Sequence, residues 1–191
     1  MSQTPQEGTT TALIDNIRHL ANCNPNSEDF EIIYHILIKS AKENDKEALQ
    51  FAGDHNYSRV RNKDGLTLIE YAFKKGNFSD IDYLLTVPNI DAAVSDYSIY
   101  FDWDEGHQFV SGEDIYSLDR NRFDIYAANI TAINQMGKNA WQVHLPDYPD
   151  DDFITVSTKR FLPINKINTA IYKCQEAVRL EKDAEEESEA I

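Results

Sequence analysis

The sequence predicts a mainly α protein: a short, irregular stack of helical repeats that ends in a C-terminal capping helix, with a small β element as one reading of its second half. Three observations point there. Short amphipathic stretches separated by turn residues fill the first half. One of them, residues 62–92, holds a turn, a helix, a Gly break, a second helix and another turn. Near the end of the chain, a longer apolar stripe recurs at helical spacing. Isolated helices of under about a dozen residues are marginal in water, so units this short need stacked neighbours.

Residues 1–10 are polar and expected to be a disordered tail. The helical repeat region is expected over 11–96. Leu13, Ile14, Ile17, Leu20 and Ala21 make a first stripe, which Asn24-Pro25-Asn26 breaks. Ser27 is the expected cap of a second helix, with Phe30, Ile33, Tyr34, Leu37 and Ala41 inward. Asn44-Asp45 marks a break, and a third helix over 46–52 carries Ala48, Leu49 and Phe51.

The 62–92 stretch is the best formed. Asp64-Gly65 is a turn signal, since Gly takes positive φ without steric penalty. Thr67 is placed to cap a helix carrying Leu68, Ile69, Ala72 and Phe73. Gly76 ends it, with Lys74 and Lys75 in the last turn, where cations suit the helix dipole. Ser79 is the expected start of the next helix, which carries Ile81, Leu84 and Leu85 and stops before Pro88.

These residues resemble an ankyrin repeat. Asp64-Gly65-Leu66-Thr67, Ala72, Gly76 and Leu84-Leu85 stand where that family has its turn, short helix, Gly and Leu-Leu ending, and Asn89-Ile90-Asp91-Ala92 fits the outgoing turn. Leu68 and Glu70 depart from the family's usual Pro and His. A degenerate copy ending at Asn62–Gly65 lies one period upstream. The resemblance implies an ankyrin-like stack that binds a partner protein through its turn tips and first helices: Arg61 and Lys63 on the turn, and Glu70, Phe73 and Lys74 on the helix.

The irregular or inserted repeat is expected over 97–163. Ser111 is read as the cap of a helix reaching Phe123, with Ile115 and Leu118 inside. Residues 128–141 resemble a further repeat turn and helix entry, displaced by an insertion. The rival reading is a β-hairpin, since Trp141, Val143 and Leu145 alternate with Gln142 and His144, and residues 153–158 are rich in β-branched side chains. Residues 135–139 then form its loop. Both readings stand for residues 120–160. The capping helix is expected over 164–180, with Ile167, Ile171, Cys174, Ala177 and Val178 on one face. An acidic tail, 181–191, is expected to be frayed or disordered.

Composition narrows the function. The formal net charge of −15 disfavours nucleic-acid binding through phosphates and favours a protein partner with a basic surface, or mimicry of a polyanion. No apolar run has the length of a membrane span, so no membrane partner is expected. Two cysteines and no signal peptide suggest a reducing, cytoplasmic setting. The glutamate-rich tail also resembles the secretion signal of effectors of Legionella-type type IV secretion systems. That implies a bacterial effector, or its regulator, translocated into a host cell; a solubilising tail is the other reading.

The chemical signals are weak. Asp102, Asp104 and Glu105 before Gly106 match a calcium loop poorly, and Asp147, Asp150, Asp151 and Asp152 read as a surface loop. His107 has no second ligand at metal-binding spacing. Cys174 reads as core, and Cys23 has no evident partner. No phosphate-loop, nucleophile-elbow or zinc-helix motif occurs. No cofactor, metal or catalytic residue is therefore expected. The leading function is non-catalytic protein–protein interaction; the alternatives are a small enzyme with its site around Trp103, Asp104 and His107, and a polyanion mimic.

Overall fold

The structure, a computed structural model, describes residues 15–119, 121–133, 140–144, 154–157 and 160–190. The chain is mainly α, with an antiparallel sheet in its second half and a long C-terminal helix. It divides into two compact units, residues 1–94 and 95–191.

The first unit is helical: residues 15–21 (α1), Phe30–Lys42 (α2), Lys46–Asp54 (α3), Leu68–Lys75 (α4) and Phe78–Leu84 (α5). The stop and start signals explain most of these boundaries. Asn44 takes φ 54°, and Asp45 caps α3 by accepting from the Ala48 N–H. Thr67 and Glu70 form a reciprocal capping box at the start of α4, and Gly76 closes α4 at φ 73°. Two helix starts differ from expectation. The α2 cap is Asp29, not Ser27, because the Asp29 carboxylate accepts from the Asn24 N–H at 2.7 Å and closes a turn across 24–29 first. The α5 cap is Asn77, not Ser79. The Asn77 N–H bonds back to Ala72 O at 2.9 Å, so the chain enters α5 directly from the αL turn.

The core of this unit holds Leu20, Phe30, Ile33, Tyr34, Leu37, Leu68, Ile69, Ile81 and Leu84, each at most 1% exposed. Removing this much apolar surface from water is the main term favouring the stack. Polar bonds then fix the register. Tyr34 Oη donates to Asp80 at 2.8 Å, and Arg61 Nη1 donates to Gly65 O at 2.7 Å. Ser58 Oγ and an Arg59 guanidinium N–H both donate to Asn89 O, tying one turn to the next. Gly53 is required by packing: a Cβ there would lie 2.8 Å from both Pro88 Cβ and Pro88 O.

The second unit is a five-stranded antiparallel sheet with a helix. Its strands are Asp114–Leu118 (β1), Ile125–Ile133 (β2), Ala140–His144 (β3), Ile154–Ser157 (β4) and Phe161–Pro163 (β5), in the order β4-β3-β2-β1-β5. Strands β1 to β4 run as a meander, and β5 returns to pair with β1. Among the described residues of 120–160 the strand reading holds, while the reading of 128–141 as repeat turn and helix entry gives way to β2 and β3. The expected helix from Ser111 to Phe123 is corrected as well. Residues 114–118 form a strand between β2 and β5, with Ile115 through Leu118 all buried. A strand covered on both faces shows no alternation, so its sequence looks like a short helix segment.

The C-terminal helix, Lys166–Glu189 (α6), packs on β2 and on the short 3-10 turn Tyr97–Tyr100. Its buried face is Asn168, Ala170, Ile171, Cys174 and Gln175, more polar than the expected apolar stripe. The two amides are spent on backbone. Asn168 accepts from the Asp102 N–H and donates to Asp102 O and Pro163 O. Gln175 accepts from the Ile125 N–H and donates to Phe123 O, both at 2.8 Å. The expected disorder of the acidic tail is also corrected: α6 continues to Glu189, since Glu, Ala and Lys are strong helix formers. Residues 1–10, 135–139 and 147–152, the subjects of three further expectations, lie outside the described residues.

Candidate functional site

The five residues assigned to partner binding lie on two neighbouring segments of the first unit but differ in availability. Lys63 and Lys74 are exposed. Arg61 is also exposed, and it pairs with Asp91 at 3.4 Å and with Glu70 at 3.9 Å. Glu70 is held by its capping box, where Oε1 accepts from the Thr67 N–H at 3.3 Å. Phe73 is 2% exposed and packs edge-to-face on Phe78, so truncating it perturbs the core of the unit. The exposed part of this surface is thus Arg61, Lys63 and Lys74.

Lys63 opens onto a surface cleft of about 510 Å³ between the 62–64 turn and the first turn of α2. Its apolar lining comes from Phe30, Ile32 and Tyr71, and its charges come from Glu28, Glu31, Lys63 and Asp64. The turn is rigid because Asn62 Oδ1 accepts from the N–H groups of both Asp64 and Leu66. Tyr71 is fixed by edge-to-face contacts with Phe30 and Tyr34, each at a centroid distance of 5.2 Å. Its hydroxyl donates to Glu31 Oε1 at 3.3 Å. Burial, and then the Glu31 charge and this hydrogen bond, raise the phenol above its ordinary range, so it remains a donor.

Sequence reasoning passed over Glu28, Glu31, Ile32 and Tyr71 as site residues. A signal for one of them existed. Ile32 lies outside the stripe of Phe30, Ile33, Tyr34 and Leu37 that the helical period puts on the core face. Ile33 takes the core at 0% exposure, and Ile32 is left 54% exposed at the cleft.

The His107 region is organised differently. His107 Nε2 lies 2.7 Å from Glu113 Oε2, and Nδ1 lies 3.9 Å from Asp104 Oδ2. The ring also meets Phe109 edge-to-face. Trp103 is 42% exposed and packs on Phe101. Asp102 serves its own loop: Oδ1 accepts from the Asp104 N–H and Oδ2 from Asn165 Nδ2. Among the described residues, no group of three or more His, Cys, Asp or Glu side chains is placed to hold a metal ion. Cys174 is fully buried. Burial and the Asp29 carboxylate raise the Cys23 thiol, which disfavours the thiolate a nucleophile needs. No helix among the described residues is long and apolar enough to cross a membrane.

The fold and cleft together define a mainly α protein with a rigid, amphipathic surface on its helical unit. Comparison with known protein families, with curated proteins and with solved structures gave no match to this chain.

Proposed function

We propose that the chain is a non-catalytic protein–protein interaction module that binds its partner through the ankyrin-like surface of the first unit. The observation that carries this reading is the cleft beside Lys63, a concave site with an exposed isoleucine and fixed aromatic walls on the face where the family resemblance places contacts. Exposed apolar surface rimmed by charge is the usual composition of a docking patch. A role as a bacterial effector, or as the regulator of one, acting in a cytoplasm or in a host cell, is a version of the same reading supported by the acidic end of α6. The test is quantitative affinity capture from cell extract with the full chain and with an Ile32→Lys variant, which places a charge on the exposed apolar edge of the cleft. A defined partner lost from the variant supports the module; equal recovery by both proteins overturns this face.

A second reading, a small enzyme, draws on the pairing of His107 with Glu113 and Asp104. A carboxylate-oriented imidazole is the minimum equipment for general base catalysis. Activity-based screening with wild type and His107→Ala decides it, because this reading requires a turnover that the variant loses.

A further inference from the structure

We infer that the cleft of the first unit is a subsite for a basic side chain, arginine before lysine, presented by an extended segment of the partner protein. The inference rests on the interaction-module reading and specifies the chemistry of its partner.

Charge complementarity comes first. Three carboxylates, Glu28, Glu31 and Asp64, line the cleft against one lining ammonium, Lys63, with a second, that of Lys75, over the Tyr71 ring. The N-terminus of α2 adds a partial positive charge, but Asp29 at the cap and Glu31 in the first turn offset it. The chain as a whole is strongly acidic, which steers basic partners towards it and slows acidic ones.

The walls select among cations. Phe30 and Tyr71 supply aromatic surface, and Ile32 supplies an aliphatic edge suited to the methylene stem of a long basic side chain. The Tyr71 ring already attracts a cation: Lys75 Nζ lies 5.6 Å from its centroid. An aromatic ring beside carboxylates is the environment in which a planar guanidinium gains most, stacking on one and donating to the other. Glu31 is oriented for this by the Tyr71 hydroxyl, which holds Oε1. A cleft of about 510 Å³ accommodates one such side chain with flanking backbone, not a folded domain.

The test uses the full chain, isotopically labelled, titrated with N-acetyl-arginine amide and followed by amide NMR. N-acetyl-citrulline amide, neutral and nearly isosteric, is the control. The expected result is saturable shifts at Ile32, Lys63 and Tyr71 with the arginine probe and none with citrulline. Affinity should fall roughly tenfold or more in a Glu28→Gln/Glu31→Gln variant, as loss of charge-assisted hydrogen bonds requires. These substitutions are at exposed positions, so the variant's spectrum reports retained folding directly. Equal shifts from both probes, or silence at the cleft, overturn the inference. Silence at the cleft with capture that is still lost in the Ile32→Lys variant refutes the basic subsite alone. A selective arginine response without any captured partner upholds the subsite and refutes the module.

Discussion

Thr67 caps α4 from the position next to it, whereas Gln175 satisfies the backbone of Ile125 from fifty residues away. That contrast runs through the two units. In the first, helix starts and stops are set by neighbours in sequence: Asp45 for α3, the Thr67–Glu70 box and Gly76 for α4. In the second, β1 is a strand because β2 and β5 flank it, and α6 seats its buried amides on backbone from a distant loop and from strand β2. Local signals are cheap in chain entropy and readable in order along the sequence. Non-local ones require loop closure before any contact rewards it.

The contrast can be broken at its strongest point first. Phe73→Ala should destabilise by about 3–5 kcal/mol, the usual range for emptying a large aromatic site in a packed core. Urea unfolding measures it, and hydrogen exchange should show α4 and α5 amides losing protection. A loss under about 1 kcal/mol would mean that Phe73 is not the core residue its burial indicates.

Gln175→Met keeps an unbranched side chain of similar length but orphans the Ile125 N–H and the Phe123 carbonyl, and should destabilise by about 1–3 kcal/mol. Exchange should quicken at Ile125 in particular. Thr67→Ala should cost about 1 kcal/mol, because it removes one half of the capping box and leaves the apolar face intact. The comparison of these two changes, each removing polar ties from one unit, separates long-range stitching from local capping. Arg61→Gln should change stability least, by about 0.2–1 kcal/mol, since its partners Asp91 and Glu70 meet it at an exposed guanidinium. That effect should shrink further in high salt.

Legibility follows the same division. The turn at Asp64-Gly65, the cap at Thr67 and the stop at Gly76 were readable because each is a residue type demanded by its own backbone geometry. The caps at Asp29 and Asn77 were not, because a neighbouring hydrogen bond in each case moved the helix start away from the serine expected to cap it. Of the proposed binding surface, Arg61, Lys63 and Lys74 were legible as exposed positions on a turn and a helix. Glu28, Glu31, Ile32 and Tyr71 join Lys63 only when α2 packs beside the 62–64 turn, and Phe73 turned inward for the same packing reason.

The sequence by itself therefore determined a mainly α chain, the breaks between its first helices, the presence of a long C-terminal helix and the net acidity. Those properties reside in local spacing, local backbone preference and summed charge, and none of them depends on what packs against what. Tertiary structure decided that residues 114–118 are a strand, that two amides of α6 are buried polar ties, and that an isoleucine, a tyrosine and three carboxylates share one cleft. In each case the deciding contact comes from elsewhere in the chain, so no window of sequence around the residue contains the reason.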